Sequence, residues 1–75
     1  MRLNIVTENF IKVNEDLESL FGEKWHITYG GMIAKNIHDF TLSPKDYEVN
    51  ECTQVLSVEN LLELGIEPHN IRIYG

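Results

Sequence analysis

Cysteine is almost missing from this 75-residue chain, with Cys52 standing alone. One thiol cannot close an intramolecular disulfide, so neither a disulfide framework nor an oxidising compartment is indicated. Basic residues are scarce as well. Six Lys and Arg against twelve Asp and Glu leave a net charge of -6. That balance works against a nucleic-acid backbone or an anionic membrane as direct partner, because like charges repel. No apolar run approaches the roughly 18 residues a membrane span needs. The first ten residues, MRLNIVTENF, lack a continuous apolar core and carry Glu8, which is not the pattern of a signal peptide. The expectation is a cytoplasmic protein. Linkers, repeats and low-complexity tracts are absent, so residues 1–75 read as a single small domain.

The apolar content is ordinary. It stands at 43% and includes three Phe, three Tyr and one Trp, which argues against disorder. A core from so short a chain supplies only about 3–5 kcal/mol, so an oligomer or a partner would add useful stability.

Arg2 to Val6 alternates as a strand, with Leu3 and Ile5 on one face. Thr7 then reads as a helix N-cap, with Glu8 beside the positive helix end and Val6 and Ile11 at the spacing of a hydrophobic staple. Phe10, Val13, Leu17, Leu20 and Phe21 form one apolar helical stripe, and Gly22 can close that helix. Trp25, Ile27 and Tyr29 alternate with His26 and Thr28. Gly30-Gly31 reads as a tight hairpin turn, which pairs Tyr29 with Met32 and Ile27 with Ala34. Ile33 and Ile37 fall on the opposite face, and the alternation changes phase before Phe40, which predicts a bulge near His38 and Asp39. Tyr47 to Val55 reads as a further strand. From Leu56 to Tyr74 the chain spells out a helix with both ends: Ser57 as cap, Leu56 and Leu61 as staple, Gly65 as the left-handed stop. Pro68 forbids continuation, and Ile71 and Ile73 alternate with Arg72 and Tyr74 as a closing strand.

The predicted order is β-α-β-β-β-α-β. It resembles the ferredoxin-like plan with an extra strand. The expected class is α+β: an antiparallel or mixed sheet with two helices on one face. A shared plan of this kind carries no function of its own.

Chemistry is hard to find. His26, His38, His69 and Cys52 show no metal-ligand spacing, and alternation puts His26 and His38 on opposite faces. No metal and no cofactor is expected. Nothing around Cys52 would lower its pKa. Gly30-Gly31 precedes no helix N-terminus, so no phosphate cradle is expected. No catalytic residue is assigned, and the protein is expected not to be an enzyme.

What remains is surface. Glu8, Glu15 and Glu18 lie on the outward side of the first helix, with Asp16 at its margin. Asp39, Asp46, Glu48 and Glu51 lie in the middle segment beside Tyr47. If the two groups share one surface, they make an acidic patch able to steer a basic protein or compete with nucleic acid for its groove. Arg72 and Tyr74 could join a contact through an edge strand, including a homodimer. The protein-binding candidates are therefore Glu15, Glu18, Asp39, Asp46, Tyr47, Glu48, Arg72 and Tyr74. The expected function is that of an acidic protein-binding module, regulating or inhibiting a larger basic or nucleic-acid-handling protein. Such charge mimics are common among phage and other mobile-element products. Two alternatives stay open. One is a small oligomeric enzyme or ligand-binding subunit using His38, Cys52 and Tyr47. The other is a structural homo-oligomer.

Overall fold

Alternation at the start of the chain produces a strand where it is expected. In the computed structural model, which describes residues 1–45 and 58–74, β1 runs Arg2–Val6. The helix α1 follows at Phe10–Phe21, then β2 at Trp25–Ala34 and β3 at Ile37–Pro44. After the second described stretch begins, α2 covers Val58–Leu61 and tightens into a 3-10 turn at Leu62–Leu64. A second 3-10 turn, Pro68–Asn70, leads into β4 at Ile71–Tyr74. The result is an α+β domain. Its four strands form one sheet in the order β2-β3-β1-β4, with every neighbouring pair antiparallel. The alternative of a mixed sheet is thereby removed. The expected strand Tyr47–Val55, the Ser57 cap and the Leu56 staple lie outside the described residues.

Period-two alternation divides the sheet into two faces. Leu3 and Ile5 of β1 stand beside Phe40 and His38 of β3 and Ile73 and Ile71 of β4. Leu3, Ile5, Phe40 and Leu42 are fully buried there, with Trp25 at the base of β2. Val13 and Leu17 of α1 and Leu61 and Leu64 of the second helical segment close over the same core, and Ile66 packs against it. Both helical segments therefore cover one side of the sheet. Among the described residues no helix is long and apolar enough to cross a membrane.

Several local expectations are corrected. The cap of α1 is Asn9, not Thr7: Asn9 Oδ1 accepts from the Lys12 N–H at 3.2 Å. The Thr7 N–H is held by the Asn36 carbonyl at 2.8 Å, which extends the strand path by one residue and delays the helix. Thr7 Oγ1 instead accepts from the Asn9 N–H. The Val6–Ile11 staple is not made, since both side chains are exposed. At the other end, Gly22 closes α1 as expected, its N–H reaching the Glu18 carbonyl.

The hairpin turns at Lys35-Asn36, not at Gly30-Gly31. Asn36 adopts φ 59, a left-handed conformation that asparagine tolerates better than most residues. Moving the turn lengthens β2 and pairs Trp25, Ile27 and Tyr29 with Pro44, Leu42 and Phe40. That register buries far more apolar surface than the shorter hairpin, in which Trp25 would face Asn36. The phase change also belongs to β2. Gly30 and Ile33 are each an extra residue opposite a regular β3, between Tyr29 and Gly31 and between Met32 and Ala34. Residues 37–42 of β3 alternate without a break, so no bulge occurs at His38-Asp39 itself. Gly31 uses its freedom at φ 100 within this irregular stretch. Gly30 answers a different need, because a Cβ there would overlap Asp39 Oδ2.

Finally, β1 is an interior strand, paired on both sides. The outer strands among the described residues are β2 and β4.

Candidate functional site

The second face of the sheet carries the side chains left out of the core. From β1 these are Arg2, Asn4 and Val6; from β3, Ile37, Asp39 and Thr41; from β4, Arg72 and Tyr74. No described helix covers this side. Both arginines of an acidic chain fall on it. Asp39 is the one acidic residue among its strand positions in the described residues.

Asp39 is held in place. Its Oδ1 accepts from Arg2 Nε at 2.8 Å. With the Asn4 amide oriented to satisfy its neighbours, Asn4 Nδ2 donates to the same oxygen at 2.9 Å. The Asp39 side chain is 15% exposed and lies over Gly30. The Arg2 guanidinium is held above its usual pKa by that hydrogen bond first and by the carboxylate charge second. It also sits 5.7 Å from the Tyr74 ring centre, within cation–π reach. Arg2, Asp39, Asn4 and Tyr74 thus form a closed set of contacts at one end of the face.

Next to this set is a hollow of about 370 Å³. Val6, Ile33 and Ile37 make its apolar end, and the Ile33 bulge is what brings that side chain round. Asn4, Arg72 and Tyr74 make its polar end, with His69 and Asn70 of the 3-10 turn as a side wall. Among the described residues no carboxylate lines it. Arg72 has no partner among the described residues. His69 Nδ1 lies 3.4 Å from Glu67 Oε2, outside the lining, and both side chains are largely exposed.

The sequence-predicted sites separate on this map. Glu15 and Glu18 are exposed on α1, on the far side of the sheet from Asp39. Asp16 is tied to Lys12 at 2.7 Å. Asp39 therefore does not join the α1 acids in one patch; the alternation of β3, with His38 and Phe40 in the core, sends it the other way. Arg72 and Tyr74 do come together with Asp39 on the second face. Asp46, Tyr47 and Glu48 lie outside the described residues, as does Cys52.

His38 belongs to the core face, where it is 4% exposed. A 2.8 Å hydrogen bond joins its Nδ1 to the Tyr29 hydroxyl, in a direction set by the tautomer. Phe10 stacks on both rings, at 4.7 Å from Tyr29 and 4.8 Å from His38. A histidine so enclosed is a packed and satisfied core residue. Among the described residues no three His, Cys, Asp or Glu side chains converge as metal ligands.

Sequence reasoning missed that Arg2, Asn4, Val6 and Ile33 share a face with Arg72. The signal was there in part, since Arg2 and Asn4 occupy the outward positions of β1. The pairing of β1 with β4 was what the sequence could not show. Comparison with known proteins finds no matching family model, no matching curated protein and no matching solved structure.

Proposed function

We propose that this protein is a non-enzymatic binding module that takes a protein partner on the face of its sheet that no described helix covers. The observation that carries this reading is the asymmetry of the two faces. One is packed against helices; the other offers, among the described residues, a hollow, an arginine without a partner and an aromatic side chain. Tyr and Arg are the residue types on which contact energy concentrates. The strand order β2-β3-β1-β4, with a helical segment after β1 and another before β4, supports reading the domain as a ferredoxin-like plan. A fold of that kind leaves one sheet face for recognition.

A second reading rests on Glu15 and Glu18, both exposed on α1. They suit a basic partner on the helical side, in the manner of a charge mimic. The two readings part in one experiment. Full-length protein, R72E and the E15K/E18K double variant serve as baits for a partner identified with the unmodified bait. Loss of that partner with R72E and its retention with E15K/E18K supports the sheet-face reading. The reverse pattern overturns it in favour of the helical side. Circular dichroism checks that each bait is folded.

A further inference from the structure

The hollow beside Arg72 has a sign and a spacing, and together they select the chemistry of what fits it. Among the described residues it holds one arginine without a partner and no carboxylate, in a chain of net charge -6. Its polar and apolar ends are ordered along the strands. Arg72 is paired across β1 with Asn4, and Val6, paired with Ile37, is two residues further along. Two residues of strand span about 7 Å. An extended peptide lying along the strands presents its own side chains i and i+2 at that same interval. The hollow is only half enclosed, so a small molecule would stay wet there, whereas a protein segment brings its own cover.

We propose that this hollow recognises an extended acidic-x-aliphatic segment of a protein partner. Its carboxylate is taken by Arg72 beside Asn4 and Tyr74, and its aliphatic side chain rests on Val6, Ile33 and Ile37. The proposal rests on the sheet-face reading and deepens it by naming the partner's chemistry. The acids of α1 do not oppose it. They project from the other side of the core, and at physiological salt their fields decay over about 8 Å.

The test uses the full chain, labelled with 15N, and three acetylated, amidated pentapeptides: Ser-Glu-Ser-Ile-Ser, Ser-Gln-Ser-Ile-Ser and Ser-Lys-Ser-Ile-Ser. Titration is followed by the amide signals and the Arg72 Nε–H signal. The Glu peptide is expected to shift Asn4, Val6, Ile37, Arg72 and Tyr74. R72Q is expected to weaken it about tenfold, as for loss of one partly exposed charged hydrogen-bond pair. Equal binding of the Gln peptide at those residues overturns the charge assignment and leaves the sheet-face reading standing. Stronger binding of the Lys peptide on α1 overturns both. Absence of any shift with all three peptides overturns the segment proposal, while the bait experiment still decides the face. Concentration-dependent shifts at the same residues without peptide overturn it in favour of a second copy of this chain.

Discussion

Two faces of one sheet, built from the same residues in alternation, have different tasks in this molecule. On the helical face Leu3, Ile5, Phe40 and Leu42 lose all contact with water, and the packed polar side chain there, His38, is hydrogen-bonded and stacked. On the other face Arg2, Asn4, Asp39 and Tyr74 contact one another in view of solvent, with Arg72 beside them. A single step along β1 or β4 crosses from one regime to the other. The lesson is that stability and recognition are encoded in interleaved positions, so a substitution can remove one and spare the other.

The largest effect belongs to the core face. Phe40 is fully buried at the centre of the sheet, next to Leu3 and Tyr29. Phe40→Ala is expected to cost about 3–5 kcal/mol, the usual range for a large buried aromatic. A domain of this size has about that much to lose, so the variant should be substantially unfolded at room temperature. Urea denaturation followed by far-ultraviolet circular dichroism measures it. A loss below about 1 kcal/mol, within the range of ordinary surface changes, would erase the distinction between the faces.

A middle-sized effect tests the start of α1, where sequence and structure disagree. Asn9→Ala is expected to cost about 1 kcal/mol through the lost cap on the Lys12 N–H. Thr7→Ala should cost less, because its hydroxyl holds only the Asn9 N–H at an exposed site. The opposite ranking in a denaturation series would restore Thr7 as the cap.

How much of this was legible beforehand follows from what kind of information each feature needs. Leu3 and Ile5, the α1 stripe of Phe10, Val13, Leu17 and Phe21, the left-handed Gly65 and the pair Ile71 and Ile73 are set by local periodicity and backbone preference and were readable, whereas Leu20 of that stripe is exposed. The hairpin was misread because Gly30-Gly31 is the better turn dipeptide in isolation. Lys35-Asn36 wins only when the packing of Trp25 and Ile27 and the Tyr29–His38 hydrogen bond are counted, and those are tertiary terms. The contact surface was harder still. Arg72 and Tyr74 were singled out as edge-strand residues, yet their neighbours come from β1, some 70 positions away in sequence. The expected union of Asp39 with Glu15 and Glu18 failed because charge composition says nothing about which side of a sheet a carboxylate occupies.

The smallest expected effect gives the sharpest comparison. Arg72→Gln removes a charge from the uncovered face, where the guanidinium has no partner among the described residues. Nothing is left buried and unsatisfied by the change, and the β4 backbone pairing with β1 is untouched. Its stability should therefore stay within about 0.5 kcal/mol of the parent in the same urea series. That neutrality is what allows R72Q to report on recognition alone: any binding it loses is lost at the contact itself. A destabilisation of about 2 kcal/mol or more would mean that Arg72 holds the fold together, and the clean separation between the two faces would fail at the position where recognition is assigned.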